Sequence, residues 1–470
     1  MRYCLAIDQG THASRALLFD SRGRQRASAS QPVDIHRLGH GHVEQDPGQL
    51  VNSVQAVIRQ VTGGRDARID ACGIATQRST VLAWCDDGTA LGAALSWQDV
   101  RAADRLDALR VHEADIQRMT GLPLSAHYGA TKLRWLYDRF QADPRRAAAA
   151  LRLSPLASFL LFHLIGQRPY RVDHSNAQRT QLLDLHTLDW SPQLADWFGV
   201  PLACLPQCTP MRHDYGTLDG FDIPVTALCG DQNAALFGAG PLPPDTALVN
   251  LGSGAFLLRG LADEPLPGDT QLTGIACSDG ETVRYLREAT VNGAGSALAW
   301  AQQAWQIENL QARLPAWLET IDAPPVFINA IGGLAAPWWR QDLGPHFLDD
   351  GERAGVEART VAVVESIVFM VQANLALMAL EAPLRRLRVS GGLSRLDGLC
   401  RRLASLSGLP VERLDEPEAT ARGAAWLAAG CPRDWQPDGE PDCFPPRPDS
   451  ALEDRYRRFI DYLDRPPQTV

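Results

Sequence analysis

One shape occurs twice in this chain: an apolar strand, a polar turn holding a glycine and a hydroxyl, and a second apolar strand. Tyr3 to Ile7 and Ala16 to Phe19 flank the first turn, Asp8-Gln9-Gly10-Thr11-His12-Ala13-Ser14-Arg15. Ala247 to Asn250 and Ala255 to Leu258 flank the second, Leu251-Gly252-Ser253-Gly254. Glycine permits the backbone angles of a tight reversal, so both segments read as β-hairpins. They match as motifs and not in residue identity, which makes the repeat a weak one. Pro241-Leu242-Pro243-Pro244-Asp245 lies between them and reads as a linker. A chain of 470 residues exceeds one core at ~150 residues per domain. The expected division is therefore 1–240 and 241–470, each half opening on its own hairpin.

The remaining pattern alternates strands and helices, which indicates an α/β layer architecture. Asp46-Pro47 supplies an N-cap and a proline at the first helical position, and Leu50, Val54, Val57, Ile58 and Val61 follow at helical spacing. Ile69 to Ala75, Val81 to Trp84, Val225 to Cys229 and Leu387 to Ser390 read as strands. Thr131 to Tyr137, Pro155 to Ile165, Pro192 to Phe198 and Ala419 to Ala429 read as helices. Val364, Ile367, Val368, Val371, Leu375 and Met378 trace one face of a longer helix. Pro432 to Ser450, rich in proline and aspartate, is expected to be irregular, with a short closing helix after it.

Composition removes several function classes. The 45 Lys and Arg face 55 Asp and Glu, a net charge of -10, with no massed basic stripe for nucleic acid. The start turns polar at Asp8 and the apolar run from Leu151 to Ile165 is interrupted, so neither a leader nor a membrane span is expected. Ten scattered cysteines, with Cys204 and Cys208 the only close pair, fit neither a zinc site nor a disulfide scaffold. The expectation is a cytoplasmic protein with reduced thiols. Neither a Walker-type loop nor a G-x-G-x-x-G strand-to-helix turn is present.

What remains are three glycine turns after apolar strands, Gly10-Thr11, Gly252-Ser253-Gly254 and Gly391-Gly392, with Asp8 and Asp231 at strand ends. Such turns can cradle phosphate, and carboxylates beside them suit magnesium and a hydroxyl nucleophile. Asp8-Gln9-Gly10-Thr11, His42-Val43-Glu44-Gln45-Asp46-Pro47, Gln77-Arg78, Trp97-Gln98-Asp99 and Gly230-Asp231-Gln232 resemble the glycerol kinases of the FGGY carbohydrate kinase family. Leu185-His186-Thr187-Leu188-Asp189-Trp190 and Gly333-Leu334-Ala335-Ala336-Pro337-Trp338-Trp339 add to the resemblance, which runs in order along almost the whole chain.

That resemblance implies two actin-like, ribonuclease H-like α/β domains around a central cleft, the first taking the acceptor and the second the nucleotide. It implies ATP and Mg2+ as cofactors, a small polyol or sugar as partner, and a homodimer as the assembly to test for. By position, Asp231 is the expected general base and Asp8 the carboxylate near the metal. Thr11, Arg15, Ser253, Gly295, Gly391 and Gly392 fall at nucleotide-binding positions. Arg78, Trp97, His127, Asp231 and Gln232 fall at acceptor-binding positions.

Four positions depart from the glycerol kinase pattern: Ser79 stands for Glu, His127 for Tyr, His12 for Thr and Leu396 for Asn. Losing the Glu removes acceptors for adjacent hydroxyls, and unmatched polar groups discriminate by about 1–3 kcal/mol each. The expected activity is ATP-dependent phosphorylation of a primary hydroxyl of glycerol or a related small polyol. A four- or five-carbon ketose or alditol is the alternative acceptor, and a non-catalytic actin-like nucleotide binder the alternative from another class. The linker is expected to act as a hinge on which two lobes close.

Overall fold

The computed structural model describes residues 2–63, 68–146, 150–261, 264–265, 270–340, 342–414, 418–435 and 439–465. Its first sheet is ordered Val225–Gly230, Arg68–Thr76, Arg2–Gln9, Ala13–Asp20, Gln25–Pro32. Arg2–Gln9 lies at the centre, antiparallel to Ala13–Asp20 and parallel to Arg68–Thr76, which is parallel in turn to Val225–Gly230. The second sheet repeats this plan. Thr246–Leu251 is its centre, antiparallel to Ala255–Gly260 and parallel to Arg386–Ser390, which is followed by parallel Val411–Arg413. Val283–Val291 and Leu272–Ser278 extend one side and Asp442–Phe444 the other. The repeat seen in two turns is therefore a repeat of whole sheets.

Asp46 caps Pro47–Thr62 as the sequence predicts, its carboxylate accepting from the Gly48 and Gln49 amides. Its buried positions, Leu50, Val54, Val57, Ile58 and Val61, face the first sheet. The long helix Val356–Glu381 departs from its expectation. Every residue from Thr360 to Val371 is buried, so it has no solvent face there. Long and apolar enough to cross a membrane, it is instead the axis of the second core. Its apolar residues are satisfied by burial on all sides, and its one buried carboxylate in that stretch, Glu365, is paired with Arg402 and Arg455.

Pro432–Ser450 is not wholly irregular. Asp442–Phe444 pairs antiparallel with Val411–Arg413 as the sheet's last strand, while residues 436–438 lie outside the described set. Three residues are too few to carry a period, and partner and strand are 29 residues apart. The edge strand Gln25–Pro32 has no readable apolar alternation for another reason: its inward positions are Ala27, Ala29 and Gln31, none of them a large apolar residue.

Helix Ala419–Ala428 comes from the second half of the chain yet lies on the first sheet, in one core with Cys4, Ala6, Ala75, Ala227 and Cys229. The contact is backbone to backbone. A Cβ at Gly73 would sit 2.2 Å from the Ala424 carbonyl oxygen, and one at Gly423 1.8 Å from that of Ala234. The Cys4 thiol donates to the Ala425 carbonyl at 3.3 Å.

Candidate active site

The central strand of each sheet runs into a turn, and the two turns face one cavity of about 1170 Å³. Its lining includes Asp8 and Arg15 from the first hairpin, Gly252, Ser253 and Gly295 from the second half, and Gly391 and Gly392. Six of the seven residues expected at the metal and nucleotide, Asp8 among them, are thus joined in one space. Thr11 is turned elsewhere: its hydroxyl accepts from the Trp97 indole at 3.0 Å and its carbonyl from Gln45 Nε2 at 2.9 Å. It links the first turn to the acceptor side. His12 is exposed.

The second turn is fastened to the helix behind it. Ser253 carbonyl oxygen accepts from the Ser296 amide at 2.9 Å, and the Gly295 amide donates to the Gly252 carbonyl at 3.0 Å. A Cβ on Gly295 would meet that carbonyl at 2.8 Å, so only glycine lets the helix start close on the turn. Ser253 itself is exposed to the cavity. Gly391 has φ +88, and a Cβ there would lie 2.6 Å from the Leu251 carbonyl, whereas Gly392 faces open space. Gly295 and Gly391 thus keep the turns packed together, and Gly392 leaves an open side where a ligand can approach the backbone itself.

The cavity's apolar wall was not read from the sequence. Leu298, Leu310, Leu314 and Pro315 line it, the last three on helix Leu310–Thr320. Leu310, Leu314, Trp317 and Leu318 repeat at helical spacing, and that was the available signal. Leu396 also lines the cavity, while Asp397 beside it accepts from Arg413 at 2.8 Å.

Asp8 and Asp231 leave strands separated by one other, so their chains are two strand spacings, roughly 10 Å, apart. Burial, then the charge of Asp231, pushes the Asp8 carboxyl up to about 7. Burial raises Asp231 as well, with Arg78 pulling against it. A carboxyl raised beside a second carboxylate is a donor that a divalent cation would relieve. Among the described residues no group of three or more His, Cys, Asp or Glu could hold a metal. Magnesium needs none, since it keeps waters and phosphate oxygens and takes one or two carboxylates.

The residues expected at the acceptor gather beside Asp231. Arg78 Nε stands 3.6 Å from Asp231 Oδ1, and its two Nη groups grip both oxygens of Glu288 at 3.1 Å. Arg179 binds the same carboxylate. Burial opposes the Glu288 charge, but Arg179 and Arg78 outweigh it and hold the carboxyl at about 2. Neither Glu288 nor Arg179 was singled out from sequence; Glu288 lies on Val283–Val291 of the other sheet, and only tertiary packing delivers it. Trp97 and His127 meet edge to face with centroids 5.5 Å apart. Burial, then the charge of Lys132, lowers His127 to about 3, so its imidazole is neutral. Gln232 Oε1 is buried without a hydrogen-bond partner, an acceptor open to a hydroxyl. Ser79 is 3% exposed with its hydroxyl turned to the Arg179 carbonyl at 3.4 Å. Cys204 and Cys208 are free thiols.

Two family models match this arrangement, the N-terminal domain of the FGGY family of carbohydrate kinases over residues 3–238 and its C-terminal domain over 247–430. The chain belongs to the FGGY family of carbohydrate kinases. As an FGGY kinase it is an ATP-dependent enzyme, which removes the reading as a non-catalytic nucleotide binder. It is similar to a glycerol kinase of Citrifermentans bemidjiense, 34% identical over 462 residues, covering 91% of this chain and 90% of that one. A glycerol kinase of Gloeobacter violaceus is 35% identical over 444 residues, covering 90% and 87%. Among solved structures, Plasmodium falciparum glycerol kinase with ADP superposes at TM-score 0.87 and 22% identity, covering 99% of each chain. A Lactobacillus acidophilus xylulose kinase reaches the same TM-score at 21% identity, covering 98% of each. Both carry the two-domain fold that this kinase shares.

Proposed function

We propose that this kinase transfers the γ-phosphoryl group of ATP to a primary hydroxyl of glycerol or a related small polyol. The observation that carries this reading is the pairing of Asp231 with Arg78 at 3.6 Å beside the unpartnered Gln232 Oε1. That arrangement offers one base, one cation and one neutral acceptor to a molecule made of hydroxyls. The glycerol kinases at 34% and 35% identity support the same substrate class.

Phosphoryl transfer asks for alignment and charge stabilisation more than covalent chemistry. Asp231 accepts the proton of the attacking hydroxyl as its oxygen bonds phosphorus and the bond from phosphorus to the bridging oxygen breaks. Burial raises the affinity of Asp231 for that proton, with the Arg78 charge pulling the other way. Trp97 offers an apolar face to the acceptor's carbon chain, and Arg78 and Gln232 bind its hydroxyls. On the nucleotide side Ser253, Gly295, Gly391 and Gly392 hold phosphates and adenosine by backbone and hydroxyl, and Arg15 faces the same space. Asp8 is the carboxylate for Mg2+, which when bound neutralises phosphate charge. In this reading the chain divides at 240/241 into an acceptor half and a nucleotide half, and works in the cytoplasm.

A four- or five-carbon ketose or alditol is the second reading, favoured by Ser79. Its side chain is short and turned inward, so no carboxylate reaches the acceptor from this position. Coupled ADP release across glycerol, erythritol, ribitol, erythrulose, ribulose and xylulose decides between the two. The highest kcat/KM on glycerol supports the first reading. A C4 or C5 optimum that Ser79→Glu shifts back toward glycerol supports the second, and no turnover on the panel overturns both.

A further inference from the structure

Lys132 is fully buried, on helix Gly129–Phe140, and belongs to none of the roles above. Its Nζ donates to the carbonyl oxygens of Ser79 at 2.8 Å, Ser96 at 3.0 Å and His127 at 3.0 Å. An ammonium has three donors and no acceptor, so the set is complete. The three carbonyls come from three separate turns. Ser79 directly follows Arg78, Ser96 directly precedes Trp97, and His127 is itself an acceptor-facing residue.

We propose that Lys132 is a positioning residue that clamps the three acceptor-binding turns into one pocket through its ammonium. This rests on the acceptor assignment above and adds the device that sets the pocket's geometry. A second observation supports it. Ser79 has φ +61, a left-handed backbone that a serine adopts only when held there, and the ammonium binds the carbonyl of that residue. Thr80 Oγ1 accepts from the Trp97 amide at 3.1 Å, tying two of the same turns a second time. A lysine kept only for packing would be replaceable by an apolar side chain at less desolvation cost. Three carbonyls aimed at one ammonium give it a positional task instead.

The charged and titratable groups around it are Asp99 and Arg101 from the turn after Trp97, and His127 ahead of its own helix. Beyond His127 lie Arg78, Arg179 and Glu288. Burial lowers Lys132 to about 7, with Asp99 favouring the charged form and Arg101 opposing it. A neutral amine has two donors for three carbonyls, so the clamp loosens as the proton leaves.

The test uses the full-length enzyme with the acceptor that the wild type uses best. Lys132→Met is expected to raise acceptor KM at least ~10-fold, with ATP KM and calorimetric ATP affinity within ~2-fold of wild type. In the wild type, acceptor KM rises from pH 7 to 9 while ATP KM stays level. Lys132→Arg, whose charge does not titrate, lacks that alkaline rise. Equal changes in both KM values, or a level acceptor KM in wild type over that range, overturn the clamp alone. If Lys132→Met does not fold, the pH profiles of wild type and Lys132→Arg decide. A wild type inactive on every acceptor overturns the clamp together with the acceptor assignment.

Discussion

Asp231 and Asp8 are both raised in pKa by burial, yet they answer to different partners and predict different phenotypes. Asp231 sits against Arg78, and its replacement by Asn removes the proposed proton acceptor while keeping the side chain's size. Turnover of Asp231→Asn should fall at least ~100-fold, the usual scale for losing a general base, with ATP affinity unchanged in calorimetry. Near-normal turnover would remove Asp231 from that role. Asp8 faces Asp231 and Glu418, and Arg15 only partly offsets them. Its folded pKa of about 7 lies above the unfolded value of 3.8, so ionising it costs stability as pH rises through that window. Above pH 7 the cost is complete. Asp8→Asn is therefore expected to melt higher than wild type at pH 8, with a smaller gain at pH 5, while losing Mg2+-dependent activity. A variant that melts lower at pH 8 would contradict this.

Among the elements, the turn at Gly391 shows how a local backbone need creates a site. The strand Arg386–Ser390 pairs with Thr246–Leu251 in register, Asn250 opposite Ser390, so the chain after Ser390 must pass against Leu251. Only a residue without Cβ can do so at φ +88. Gly391→Ala should cost about 1–3 kcal/mol, the scale of a strained backbone, and lower Tm by several degrees. Gly392→Ala, facing open space, should leave Tm nearly unchanged and weaken ATP binding by crowding the cavity. Differential scanning fluorimetry with and without ATP separates the two. The cavity-lining helix Leu310–Thr320 had a readable apolar spacing, but nothing in that spacing says that a ligand, not a core, lies in front of Leu314.

For the whole molecule, two sheets of matching topology are joined by crossing segments. Ala419–Ala428 covers the first sheet, Glu288 reaches Arg78 and Arg179, and Arg15 pairs with Glu418 at 3.1 Å. A fragment ending at residue 240 would leave Ala6, Ala75, Ala227 and Cys229 uncovered. It should be insoluble or molten by near-UV dichroism and dye binding, and co-expression with 241–470 should restore a folded complex. A cooperatively melting fragment 1–240 would show that the covering helix is dispensable. Closure about Pro241 to Pro244 is expected to reduce the radius of gyration in small-angle scattering when nucleotide and a true acceptor are both present. An unchanged radius counts against a closing cleft.

Local rules sufficed wherever the chemistry was contiguous in the chain. Glycine and hydroxyl turns after apolar strands, Asp46 before Pro47, and Gly230-Asp231-Gln232 at a strand end are written in a few adjacent residues, because backbone angles and caps are short-range. Those patterns marked the α/β class, the doubled hairpin and the glycine turns at the cavity, and not its apolar wall. They were silent on Glu288, Arg179 and Lys132, each an ordinary charged residue on a strand or helix until folding buries it. A buried charge acquires meaning from what faces it, and the farthest partners of these three lie 210 residues away for Glu288, 109 for Arg179 and 53 for Lys132. Sequence by itself determined the glycine and hydroxyl turns and the carboxylates at strand ends. Tertiary structure alone decided which carboxylate holds which arginine, and which ammonium ties three turns into a pocket, because electrostatics in a desolvated interior depends on distance through space and not along the chain.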